Sequence, residues 1–121
     1  MMRSLLLICF FFSAVILVGQ SEVSLLREGD EAFADSLYEE AEGFYEKALL
    51  ENPASEKAKY NLANTWYRLD KYEESSAMYK SILADQTSTV DQKSTLYNYG
   101  NSELKRGKLE EAKELYKKAL R

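Results

Sequence analysis

The feature that most constrains this chain is a repeat whose copies are spaced 34 and then 37 residues apart. Tyrosines follow this spacing, and so do small residues four positions earlier (Tyr45, Tyr79 and Tyr116; Ala41, Ser75 and Ala112). Pairs of glutamates recur in the same phase at 39–40, 73–74 and 110–111. A period in the thirties with helix-forming composition is typical of solenoids built from helix pairs. We therefore predict an all-α solenoid of three helix-turn-helix repeats.

The boundaries of the repeats follow from the same phase. YNLANTWY at 60–67 and YNYGNSEL at 97–104 are the same inner helix in successive copies, and Gly29, Ala63 and Gly100 share one small-residue position. We predict repeats at 22–55, 56–89 and 93–121, the third incomplete and without a capping helix. The residues from Thr89 to Gln92 are predicted to form a capping box for the next helix.

The repeats resemble the tetratricopeptide repeat (TPR) family. The resemblance depends on the shared small-residue position and on LYEEAEGFYEKALLENP, KYEESSAMYKSILAD and KLEEAKELYKKAL in copies one to three. The second copy departs from the family pattern at Ser75 and Ile82, where small Ala is usual, and it lacks the closing Pro. The resemblance implies that the first helix of each repeat lines a concave face.

A polar stripe on those first helices is the candidate binding surface. In copy one it comprises Val23, Arg27, Asp30 and Ala34; in the later copies asparagines dominate it and tyrosines flank it. Because an Asn amide both donates and accepts, it can pair with a peptide bond, and Tyr rings add rigid contact area. The alternative is that these Asn residues only meet water. The predicted peptide-groove residues are Lys57, Tyr60, Asn61, Asn64, Tyr67, Arg68, Tyr97, Asn98, Asn101 and Lys105.

One known use of such repeats is a two-carboxylate clamp for chaperone C-termini. By resemblance, that clamp would place lysine at positions 26 and 94, asparagine at 30 and 61, and arginine at 98. Only one of the five positions agrees in this chain, which has Leu26, Asp30, Asn61, Ser94 and Asn98. Since Asp30 would repel a carboxylate and three cations are missing, we do not expect this clamp.

The first 19 residues differ from the rest of the chain. After Met1-Met2-Arg3, residues 5–18 carry no charge, and polar sequence follows. A run this short is more typical of a signal-peptide core than of a spanning helix. We predict a signal peptide at 1–19 cleaved after Gly19, or alternatively an uncleaved anchor, and therefore an exported protein. Cys9 lies inside the apolar run and is taken as an ordinary apolar residue.

Composition excludes most chemistry. The chain has no His and a single Cys, so it cannot build a Ser-His-Asp triad, a Cys-His pair or a Cys/His zinc site. With 16 basic and 20 acidic residues it lacks the charge of a nucleic-acid binder. The glutamate pairs fit the first turn of each second helix, where they oppose the helix dipole, better than a metal site. We predict no enzyme activity, no catalytic residues, no cofactor and no metal.

These observations predict a non-catalytic scaffold that binds an extended segment of another protein. The chain is also similar to small exported TPR proteins of bacterial aerotolerance (Bat-type) operons, through REGDEAF, AKYNLANTWYRLDKYEES and YNYGNSELKRGKLEEAKELYKKALR. This resemblance implies a protein that is periplasmic or anchored to the inner membrane facing the periplasm. It also implies an envelope complex with membrane proteins that carry von Willebrand A domains. The alternative is a self-associating structural subunit, a homo-oligomer that packs through an apolar strip on its uncapped C-terminal helix (Leu115, Tyr116, Ala119 and Leu120). A third possibility is that the chain is a fragment.

Overall fold

The computed structural model describes residues 21–121, so the predicted signal peptide at 1–19 lies outside the described residues. Within 21–121 the chain forms six α-helices and no strands. The helices are α1 over residues 21–34, α2 Tyr38–Glu51, α3 Glu56–Arg68, α4 Tyr72–Ala84, α5 Gln92–Lys105 and α6 Leu109–Ala119. The predicted all-α architecture of helix pairs is confirmed.

The helices of each pair are joined by a tight turn of one kind. Ser36, Asp70 and Gly107 occupy the same position in their repeats, and all three have positive φ, at 60°, 61° and 79°. The left-handed conformation ends the first helix and reverses the chain within a few residues. The glutamate pairs follow directly and occupy the first turns of α2, α4 and α6, as predicted.

The predicted capping box before α5 is wrong. The helix begins at Gln92, and Asp91 is its N-cap, accepting a 3.0 Å hydrogen bond from the backbone N–H of Ser94. Thr89 instead turns back toward α3, where its hydroxyl donates to Glu56 Oε2 at 2.6 Å and its N–H to the same oxygen at 3.1 Å. The bond from Thr89 holds the pKa of Glu56 below its ordinary value. The loop before α5, which contains the three residues by which the second spacing exceeds the first, is therefore hydrogen-bonded to the start of α3.

Small residues and tyrosines form the core between the helices. Ala41, Ala58, Ala63 and Ala112 are fully buried, and Tyr45 and Tyr79 are 1% exposed. Alanine at these positions lets neighbouring helix backbones approach closely, while the large rings fill the remaining volume. The repeated residues are thus mostly packing residues, which is why their phase is so regular.

The two junctions between repeats differ in their polar contacts. Between the first and second repeats, Glu42 accepts from Trp66 Nε1 at 2.8 Å and from Lys71 Nζ at 2.7 Å. Between the second and third, the hydroxyls of Ser75 and Ser102 lie 3.0 Å apart and both residues are fully buried.

Among residues 21–121, no helix has the length and apolar character needed to span a membrane.

Candidate binding groove

A continuous groove runs across the first helices of the three repeats. Two depressions of about 270 and 230 Å³ share Phe33 and Asn64, so they form one surface, which we call the groove. Side chains from α1, α3 and α5 make most of its lining, and Tyr45 and Tyr79 reach it from the second helices. The lining residues are Asp30, Phe33, Ala34, Tyr45, Asn61, Asn64, Tyr67, Arg68, Tyr79, Asn98 and Asn101.

Six of the ten predicted groove residues lie in this lining. They are Asn61, Asn64, Tyr67, Arg68, Asn98 and Asn101. Lys57 and Tyr60 line a separate, wider depression beside the loop that precedes α5. Tyr97 and Lys105 are exposed and line neither depression of the groove.

Sequence reasoning missed Phe33, which lines both depressions. Its ring lies beneath Arg68, whose guanidinium carbon is 6.0 Å from the ring centroid. A signal for Phe33 was present in the repeat, since it stands 34 residues before Tyr67 and therefore occupies the same position of its helix. The first repeat thus contributes an aromatic wall, and Arg68 covers part of it.

One hydrogen bond recurs in every repeat and joins the core to the groove. Tyr45 donates to Asp30 Oδ1 at 2.6 Å, Tyr116 donates to Asn101 Oδ1 at 2.7 Å, and Tyr79 donates to Asn64 Oδ1. Each pair is separated by 15 residues. Burial raises the pKa of Tyr45, and the adjacent Asp30 raises it further, so this hydroxyl remains a donor at neutral pH.

These bonds fix which way each amide faces. The Oδ1 atoms of Asn64 and Asn101 accept from tyrosine hydroxyls. Their Nδ2 groups have no protein acceptor among residues 21–121. Asn61 and Asn98 use Nδ2 instead, toward Asp30 at 3.1 Å and the Tyr60 hydroxyl at 3.0 Å, and leave Oδ1 available. Half of each amide is therefore already bonded within the chain, and the other half is left for a ligand or solvent.

The first repeat breaks the amide pattern with a charge. Asp30 stands where the later repeats have Asn64 and Asn101, and it pairs with Lys57 Nζ at 3.0 Å. The Lys57 and Asp30 side chains are 60% and 41% exposed to water, so this pair contributes little to stability. It places a compensated acidic group at one end of the groove, while the cation of Arg68 lies further along it.

A family model for the tetratricopeptide repeat matches residues 32–96, and a second model for the same repeat matches residues 94–121. The chain belongs to the tetratricopeptide repeat family. TPR folds are known as interaction modules without catalytic activity. Comparison with curated protein sequences gave no match.

Solved TPR structures share the fold. The TPR domain of Arabidopsis FLU superposes with a TM-score of 0.77 at 22% identity, covering 85% of this chain and 94% of that one. The first TPR of Spaghetti (RPAP3), solved with the HSP90 peptide SRMEEVD, gives 0.73 at 26% identity over 84% and 78% of the two chains. The N-terminal domain of C. elegans stress-induced protein-1 (STI-1) gives 0.71 at 18% identity over 85% and 84%. The likeness to FLU and STI-1 shows the fold alone.

Proposed function

We propose that this TPR chain is a non-catalytic scaffold that binds an extended segment of another protein in the groove. The observation that carries the proposal is the pairing of amide groups on α3 and α5. On each helix one asparagine offers a free Oδ1 and the next, one turn later, a free Nδ2. A peptide group presents one N–H and one C=O, which matches such a pair.

Aromatic and cationic side chains suggest how the groove selects among segments. Phe33 and Tyr67 give apolar surface beside the amides, and Arg68 extends over the Phe33 ring. Rings of this kind bind at low entropic cost, and arginine recognises carboxylates well. A segment with an apolar side chain followed by an acidic one fits this arrangement.

The solved relatives support a protein ligand without identifying it. Two TPR domains of RPAP3, at 26% and 25% identity, are structures with an HSP90 peptide bound. The chaperone clamp itself does not fit this chain, because Leu26 and Ser94 replace the expected lysines and Asp30 is held by Lys57 and Tyr45. We therefore propose a segment of different sequence from a chaperone C-terminus.

Paired substitutions test the groove. In Asn61→Ala with Asn98→Ala, both free acceptors are lost, and we expect capture of the protein partner to fall to background in a pull-down. The matched control is Gln86→Ala, an exposed amide outside the groove, and it should capture the partner normally. Far-UV circular dichroism establishes that the double variant remains helical. Retained capture by a folded double variant would count against the groove.

We further propose that the scaffold works in an exported envelope complex of the aerotolerance type. The support is the uncharged run at 5–18 and the resemblance to Bat-type TPR proteins. Mass spectrometry of the full chain recovered from cell fractions tests this location. A chain found intact in the cytosol would refute export, and crosslinking in the envelope should capture a membrane protein with a von Willebrand A domain.

Self-association through α6 is the second candidate. Leu109 is 52% exposed and Leu120 is 87% exposed, while Leu115 and Ala119 are partly exposed on the same helix. Sedimentation velocity across a range of concentrations tests it, because a structural subunit should associate and Leu120→Ser should weaken that association. A chain that remains monomeric at every concentration contradicts this candidate.

A further inference from the structure

A second concave surface lies away from the groove, at the ends of α4, α5 and α6. The C-terminal end of α4, the N-terminal half of α5 and the C-terminal end of α6 enclose a cleft of about 780 Å³. None of the residues that line the groove lines it. Its lining residues are Lys80, Leu83, Ala84, Gln92, Lys93, Leu96, Tyr99, Leu115, Lys118 and Arg121.

The interior of this cleft is apolar. Leu96 is 8% exposed at its base, and Leu83, Tyr99 and Leu115 are partly exposed around it. Burial raises the pKa of the Tyr99 phenol, in agreement with its position in the cleft wall. Burying the apolar side chain of a partner in this cleft removes both apolar surfaces from water and is therefore favourable.

The rim of the cleft is basic. Lys80, Lys93, Lys118 and Arg121 are exposed, and none of the four takes part in an ion pair within the described part of the chain. No acidic side chain is among the lining residues. The chain as a whole has 20 acidic and 16 basic residues, so the charge of this surface is opposite to that of the chain, and we call it the basic cleft.

The preceding repeat provides an internal comparison. At the positions equivalent to Lys80, Lys93, Lys118 and Arg121, one repeat earlier, the chain has Glu46, Glu56, Ser81 and Ala84. The four cations are therefore not a requirement of the repeat, because the same helix positions accept acidic and small residues. The two equivalent surfaces therefore differ in charge: the later one is basic, and the earlier one is not.

We propose that the basic cleft docks an acidic segment with apolar side chains, supplied by another protein. Apolar side chains of the segment enter between Leu83, Leu96 and Leu115, and its carboxylates face the lysines of the rim. Charge complementarity of this kind speeds association and selects against basic partners. An anionic lipid surface fits less well, since binding to a bilayer needs apolar groups that protrude rather than line a cleft.

Charge reversal tests the proposal on the purified full chain. The probe is a fluorescent amphipathic peptide of Glu and Leu about three helical turns long, compared with the same peptide carrying Lys in place of Glu. The test variant is Lys80→Glu, Lys93→Glu and Lys118→Glu. The matched control is Lys47→Glu, Lys108→Glu and Lys113→Glu, which makes the same charge change at exposed positions outside the cleft.

The acidic peptide should bind the wild-type and control chains and bind the test variant about tenfold more weakly or worse, because three exposed ion pairs are lost. Added salt should weaken the binding, and the Lys peptide should not bind. The variant with Asn61→Ala and Asn98→Ala should still bind the acidic peptide, which distinguishes the cleft from the groove. Equal binding to test and control variants would overturn the proposal. So would binding only to phosphatidylserine vesicles, or self-association that the test variant abolishes.

Discussion

Tyr45 donates a 2.6 Å hydrogen bond to Asp30, and Tyr116 makes the equivalent bond to Asn101 at 2.7 Å. In each repeat the ring of this tyrosine packs between the helices while its hydroxyl bonds a side chain that lines the groove. A single residue therefore sets both the packing of the helix pair and the orientation of the polar group that faces a ligand. Packing and recognition are coupled in this chain through the tyrosine position.

Removing one of these hydroxyls should destabilise the fold measurably. In Tyr79→Phe the ring stays buried, but Asn64 Oδ1 loses the tyrosine donor and keeps only the longer 3.4 Å bond from Asn98 Nδ2. We expect the free energy of unfolding to fall by about 1 kcal/mol. Urea denaturation followed by circular dichroism measures this change. Tyr97→Phe is the matched control, because the Tyr97 hydroxyl has no protein partner among residues 21–121 and its side chain is 56% exposed. Equal effects of the two changes would contradict the role of the bond.

In the third repeat the tyrosine ring lies so close to the first helix that it leaves no room for a Cβ at Gly100. A Cβ added at Gly100 would lie 2.6 Å from Tyr116 Cε1, and the same holds for Gly29 and Tyr45 Cε1. We expect Gly100→Ala to lower the free energy of unfolding by roughly 1–3 kcal/mol, because the ring or the helix must shift. In Gly43→Ala, where the added Cβ meets nothing within 4 Å, stability should rise by about 0.5–1 kcal/mol from helix propensity. Similar losses in both variants would rule out the clash.

The turns between paired helices provide a test of backbone strain. Ser36 has φ of 60° at the position where the third repeat has Gly107 with φ of 79°. Since a side chain costs about 1 kcal/mol in this conformation, Ser36→Gly should raise stability and Gly107→Ala should lower it by similar amounts. Thermal unfolding of the two variants gives the comparison. We expect stability changes of opposite sign in the two variants. A loss of stability in Ser36→Gly would indicate that the serine side chain makes a contact that outweighs the backbone strain.

The sequence predicted the repeat far better than it predicted the groove chemistry. The phase of Tyr45, Tyr79 and Tyr116 was enough to place the helix pairs, because buried positions repeat wherever the packing repeats. The direction of the Asn64 and Asn101 amides was not predictable, since each depends on a hydroxyl 15 residues away on a different helix. The capping box failed because Asp91 competes with Thr89 for the same role and Glu56 offers Thr89 another partner.

The basic cleft was missed for a related reason. Its lining residues come from the ends of α4, α5 and α6, and no contiguous stretch of sequence contains them together. Lys80 and Lys118 are ordinary exposed helix residues when each is considered in its own repeat. Only the packing of three helix ends shows that the cations surround apolar side chains.

The buried glutamate of α5 predicts how stability depends on pH. Glu103 is 4% exposed; burial alone would raise its pKa, but the Arg106 guanidinium, 2.7 Å from Oε1, holds it below its ordinary value. A carboxyl group whose pKa is lowered on folding stabilises the protein above its unfolded pKa of about 4.3, and that contribution is lost as the pH falls through the folded value.

Urea unfolding between neutral and acidic pH measures this contribution. Wild-type stability should decrease as the pH falls below about 4.3, and Glu103→Gln should show a shallower decrease because the titrating group is gone. Arg106→Gln should also flatten the profile, since it removes the guanidinium that favours the charged carboxylate, and the double variant should resemble Glu103→Gln alone. Glu56, Asp85 and Asp91, whose pKa values are also lowered by hydrogen bonds, account for the slope that remains. An unchanged profile in Arg106→Gln would show that the guanidinium does not hold Glu103 in its charged form.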